Sequence, residues 1–82
     1  MKTSFQLYHQ GVEKYKSGNY KEAITDFTGE INTNASMCPE PYIYRGLARY
    51  FTGEKNGALE DWLKAAELGD TNVYDLIDRY FN

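Results

Sequence analysis

The stretch Gly11-Val12-Glu13-Lys14-Tyr15-Lys16-Ser17-Gly18-Asn19-Tyr20-Lys21-Glu22-Ala23-Ile24-Thr25-Asp26-Phe27 decides the fold, because the chain writes it twice. At an offset of 35, Gly46 stands for Gly11, Tyr50 for Tyr15, Gly53 for Gly18, Ala58 for Ala23 and Asp61 for Asp26. Between these identities lie similar pairs: Val12 with Leu47, Lys14 with Arg49, Ile24 with Leu59, Phe27 with Trp62. Small residues match small ones and large rings match large rings. An internal period of this length is the mark of an array built from one supersecondary unit.

Within each unit the spacing is helical. Leu7, Gly11 and Tyr15 lie four apart; Tyr20, Ile24, Phe27 and Ile31 follow at steps of four, three and four, with Ala23 beside them. That places them on one face of an α-helix. Ser17-Gly18-Asn19 punctuates the two runs, and Gly53-Glu54-Lys55 does the same in the second unit. Each unit reads as helix, tight turn, helix. The pattern predicts helices near 4–17, 20–33, 40–52, 55–68 and 71–81, with 34–39 as a loop. Thr3 and Gln6 offer a capping box for the first helix, and Pro39 and Pro41 suit the entry to the third. The last segment carries Val73, Leu76, Ile77 and Tyr80 on one face and is expected to cap the exposed edge of the core. The fold class is therefore all-α and the chain one domain: a first unit about 4–36, a second about 39–70, and a capping helix about 71–81.

Composition removes several function classes. Of 82 residues, 41% are hydrophobic and 26% charged, which suits a folded protein. Net charge is −3 and no Lys/Arg run exists, so no nucleic-acid partner is expected. No apolar stretch approaches about 18 residues, so no membrane partner is expected. The start lacks an uninterrupted apolar segment of the secretory kind. With Cys38 as the single cysteine, no internal disulfide or Cys-cluster metal site can form, and a cytoplasmic setting is expected.

Chemistry is sparse. Cys38 and His9, the lone histidine, lie in different units, and nothing in the sequence joins them as nucleophile and base. A metal needs three or four ligands. The carboxylates Asp26, Glu30, Glu60, Asp61, Glu67 and Asp70 form no recognisable acid–base pair, and Asp75 and Asp78 read as a solvated face. Gly53-Glu54-Lys55-Asn56-Gly57 lacks the spacing of a phosphate loop. No catalysis, cofactor or metal is expected.

The run Gly11, Gly18, Tyr20, Ala23, Ile24, Phe27, echoed by Gly46, Gly53, Ala58, Leu59, Trp62, Ala65, resembles the tetratricopeptide (TPR) repeat over roughly residues 4–69. The chain departs from that pattern at Glu30, where Ala is usual, at Lys55, where Tyr is usual, and in lacking the proline after the second helix. Gly29 and Gly57 fall inside predicted helices. The tail Trp62–Asp70 is also similar to Sel1-like repeats, whose inter-helix turn is usually longer. The resemblance implies a helical solenoid that binds proteins, with the first helix of each unit lining a concave groove. On this chain those positions are Phe5, Tyr8, His9, Val12 and Lys16 in the first unit, and Ile43, Tyr44, Leu47, Tyr50 and Phe51 in the second. Such a groove is unusually aromatic, and Tyr is a typical contact residue. The Lys, Asn and Arg with which some TPR domains grip a C-terminal carboxylate are replaced here by Tyr8, Val12 and Tyr44. Two readings follow: a scaffold that takes a peptide or protein in the aromatic groove, or a homodimer whose groove is filled by a second copy. The second has its own motive, since arrays usually need three units for stability.

Overall fold

A computed structural model describes residues 4–34 and 38–81. It is all-helical, with five helices among the described residues: α1 (Ser4–Lys16), α2 (Tyr20–Asn34), α3 (Glu40–Phe51), α4 (Lys55–Glu67) and α5 (Val73–Phe81). Four of these begin at the residue the periodicity predicts. Thr3 of the expected capping box lies outside the described residues, as does the heart of the loop between α2 and α3.

Three helices end in one way. Gly18, Gly53 and Gly69 adopt φ of +87°, +91° and +107°, a region that only glycine enters at no steric cost. Behind each, the chain folds back so that Asn19 N–H donates to Lys14 O at 2.8 Å, Glu54 to Arg49 O at 2.8 Å and Asp70 to Ala65 O at 3.1 Å. This is the Schellman closure, which satisfies carbonyls the helix leaves orphaned. At the other end, α3 has a proline in its first two positions, where the missing N–H costs nothing. The last helix starts two residues later than the sequence suggests. Asp70 Oδ1 accepts the Asn72 N–H at 3.0 Å, and the amides of Tyr74 and Asp75 bond back to Thr71 and Asn72 carbonyls, so 71–72 form a turn.

The short turns at 17–19 and 52–54 make hairpins of α1–α2 and α3–α4. The helices within each hairpin pack along their length, α2 packs on α3, and α5 lies on α4 with a smaller contact. Two helix crossings are unusually close. A Cβ at Gly11 would stand 2.7 Å from Phe27 Cε1, and one at Gly46 2.7 Å from Trp62 Cδ1, so only glycine lets these rings lie against the opposing backbone. The core follows from that. Ala23, Phe27 and Ala48 form one buried cluster, and Ala58, Trp62, Ala65 and Val73 a second. The two clusters meet through α2 and α3: Ala48 of α3 belongs to the Phe27 cluster, while Ile43 and Leu47 of the same helix face Trp62. Accessible surface totals 5048 Å². A folded monomer of 9.5 kDa leaves roughly 5,000 Å² exposed. The five helices thus bury as much surface as a chain of this size ordinarily buries alone.

Candidate functional site

The aromatic residues on α1 and α3 divide into two sets. Tyr44 stacks on Phe27 with ring centroids 5.7 Å apart and planes at 15°, and Tyr8 and Tyr15 meet it edge-on at 6.1 and 5.7 Å. Tyr50 lies between Trp62 at 6.3 Å, Tyr80 at 4.7 Å and Phe81 at 5.9 Å. Ile43 and Leu47 pack against the same Trp62 cluster, and the Ile43 carbonyl accepts the Trp62 indole N–H at 3.2 Å. Ile43, Tyr44, Leu47 and Tyr50 are therefore half-buried against the two core clusters. Val12 joins them against the Phe27 cluster. Their half-burial has a physical reason. A two-hairpin core is thin, its buried side chains are mainly alanines, and half-buried rings must complete it.

What remains outside is a smaller surface centred on Phe51, which is 45% exposed. Its ring stacks on Tyr20 at 5.3 Å, with Tyr15 at 6.5 Å, Tyr50 at 5.7 Å and Tyr80 at 6.2 Å around it. Four helices thus send one or more rings each to this point. Tyr8 continues the stripe along α1, with exposed His9 edge-on to it at 6.0 Å. Lys16 is exposed at the end of α1. Phe5 belongs to α1, with its side chain outside the described part. Tyr20 and Tyr80 are contributors that the spacing alone did not mark as surface residues. Tyr20 opens the helix immediately after the Gly18 turn, which carries it beside the end of α3. Burial raises the pKa of Tyr8, with Tyr44 and Glu40 adding to it. Burial also raises that of Tyr15, with Tyr20, Tyr80 and Tyr44 adding. Both phenols are neutral donors at pH 7.

Two charged sets pair between helices. Asp61 is 3% exposed and accepts two bonds from Arg45, Nε at 3.0 Å and Nη2 at 2.8 Å, and one from Arg49 Nη1 at 3.1 Å. The same Arg45 donates through Nη1 to Thr28 Oγ1 at 3.2 Å, tying α3 to both hairpins. Gly57 leaves room for this, since a Cβ there would stand 3.1 Å from Arg49 Cδ. In the first hairpin, the residues at the matching positions make a lighter version: Lys14 Nζ lies 2.9 Å from Asp26. The hydrogen bond to Asp26 raises the Lys14 pKa against the pull of desolvation, with the Asp26 and Glu22 charges adding to it. Arg45 and Arg49 both donate to Asp61. Asp75 and Asp78 are exposed, as their placement on the last helix suggested.

Cys38 is exposed at the entry to α3. Among the described residues no three His, Cys, Asp or Glu side chains converge on a metal position, and no helix is long and apolar enough to cross a membrane. Two open clefts lie away from Phe51, one of about 440 Å³ lined by Gln10, Glu13, Lys14 and Ser17, the other of about 300 Å³ between Pro39 and Leu68–Asn72. Compared with protein-family models, curated proteins and solved structures, the chain matches none.

Proposed function

We propose that this chain is a non-catalytic protein-binding scaffold built from two TPR-like hairpins closed by α5, and that it takes a peptide or protein on the aromatic surface around Phe51. The observation that carries the reading is the exposure of Phe51. A large apolar ring left 45% open, and framed by Tyr15, Tyr20, Tyr50 and Tyr80, presents rigid contact area with little side-chain entropy to lose on binding. The TPR-like arrangement is supported by the matched glycine–ring crossings, Gly11 with Phe27 and Gly46 with Trp62, and by the matched turns at Gly18 and Gly53.

Affinity capture from the native cell tests the proposal, with Phe51→Ala beside Leu63→Ala. Leu63 is exposed to the same degree, at 46%, on the far helix α4. A partner held by the wild type and by Leu63→Ala but lost with Phe51→Ala supports the site. A partner indifferent to Phe51 rejects it.

Self-association is the alternative. Its motive is a core too small to stand alone, since a chain of this size buries only a modest share of its surface. Sedimentation over a range of concentrations separates the two, because a dimer changes mass with dilution.

A further inference from the structure

Ile43, Leu47 and Tyr50 of the expected groove share a core cluster with α5, and that helix resembles the one they belong to. Ile43-Tyr44-Arg45-Gly46-Leu47-Ala48-Arg49-Tyr50-Phe51 of α3 and Val73-Tyr74-Asp75-Leu76-Ile77-Asp78-Arg79-Tyr80-Phe81 of α5 share Tyr, Arg, Tyr and Phe in register, with aliphatic residues matched at the first and fifth places. Both helices use the same places to pack into the Trp62 cluster. From one side come Ile43, Leu47 and Tyr50, and from the other Val73, Ile77 and Tyr80.

We propose that α5 is a displaceable plug, and that the surface beneath it, formed by Leu47, Tyr50 and Trp62, receives a partner's amphipathic helix of the same spacing. That helix carries aliphatic residues at i and i+4 and a Tyr-Phe pair at i+7 and i+8, the helix-in-groove mode of recognition. The inference rests on the reading of the chain as a protein-binding scaffold and adds a second surface, beside Phe51, that opens when α5 leaves.

Three differences between the two helices support displacement. Where α3 has Arg45 bonded to Asp61 and Thr28, α5 has exposed Asp75. Where α3 has the fully buried Ala48, α5 has exposed Asp78. Finally, α5 contacts α4 less than the paired helices contact one another, and it is joined through a turn in which Gly69, Thr71 and Asn72 are exposed. So α3 is locked into the body by the burial of Ala48 and by the Arg45–Asp61 tie, whereas α5 is held by buried Val73 and by the half-buried Leu76, Ile77, Tyr80 and Phe81. Elements that open first are those with few buried contacts.

Trp62 is the only tryptophan and reports on the contact directly. The test uses the full chain, as wild type and as the Tyr80→Ala/Phe81→Ala double variant, with a fluorescein-labelled peptide of residues 70–82 as the probe. The double variant is expected to bind the probe and to recover wild-type Trp62 emission as it does so. The wild type is expected to bind at least about tenfold more weakly, because its own helix occupies the surface most of the time. Equal affinity for the two proteins, or a double variant that neither binds nor changes Trp62 emission, overturns the proposal. Should the double variant lose the circular dichroism of all five helices, hydrogen exchange on the wild type decides instead. Amides of α5 should exchange well before those of α2 and α3, and equal protection overturns the plug. A partner that still requires Phe51 while α5 stays closed would leave the scaffold reading standing and remove only this inference.

Discussion

Replacing Asp61 by alanine should be among the most damaging single changes in the chain, and the matching change at Asp26 should be mild. Both aspartates occupy the same place in their hairpins, so the contrast isolates what surrounds them. The Asp61 side chain is 4% exposed, and the guanidinium groups it pairs with belong to side chains 13% and 25% exposed. Removing it leaves two cations inside the fold, with Arg45 still donating to Thr28. Deleting one member of a buried ion pair costs about 3–5 kcal/mol, because the surviving charge is stranded. Arg49 is near enough to solvent to turn outward, which argues for the lower end, about 3 kcal/mol. At Asp26 the partner Lys14 is 33% exposed and swings into water, so the loss should be about 1 kcal/mol or less. A domain of 82 residues has roughly 4–12 kcal/mol in all. Asp61→Ala therefore removes a large share of the total, equivalent to a fall in melting temperature of roughly 12–24 °C. Urea denaturation followed by circular dichroism measures both variants. Losses that agree within about 0.5 kcal/mol would refute the reasoning, since burial of the arginines would then carry no energetic weight.

Further outcomes follow from the same geometry. Gly46→Ala should cost about 1–3 kcal/mol, because its Cβ would stand 2.7 Å from Trp62 Cδ1 in a packed core. Gly29→Ala should stabilise by up to about 1 kcal/mol, because a Cβ there meets Leu7 Cδ1 at an ordinary 3.4 Å and the helix gains propensity; thermal melts of the pair decide both signs. Stability should fall at alkaline pH. Tyr8 and Tyr15 have folded pKa values raised above 10.0 and Lys14 above 10.5. Each therefore contributes stability that is complete below its unfolded pKa and is lost as pH rises through the folded one. Urea midpoints from pH 8 to 11 should show the decline, and Tyr15→Phe should flatten it; a midpoint that does not move over that range contradicts the assignment.

The helices were legible because two local signals agree. Apolar residues at steps of three and four mark the faces, and Gly18 and Gly53 mark where each first helix must stop. The start of α5 was misplaced because Thr71 and Asn72 are weak helix formers that a first turn still tolerates; the Asp70 carboxylate accepts the Asn72 amide and holds 71–72 as a turn. The aromatic character of the α1–α3 side was also legible, but its division into core and surface was not. Tyr44 and Phe51 read alike in sequence, yet one lies flat on Phe27 and the other projects between Tyr15 and Tyr20. That difference depends on how α3 sits across the first hairpin. The Arg45–Asp61–Arg49 set was invisible for the same reason. Its members are 16 and 12 residues apart, and only the crossing at Gly46 brings them together.

The central claim is that partners meet this protein at the rings around Phe51. Side-chain NMR of the chain, recorded with and without a captured partner, addresses that claim most directly. The expected result is that shifts concentrate on Tyr8, Tyr15, Tyr20, Phe51 and Tyr80 and leave Leu63 in place. Shifts confined to Leu63 and its neighbours Glu60 and Lys64 on the outer face of α4 would contradict it.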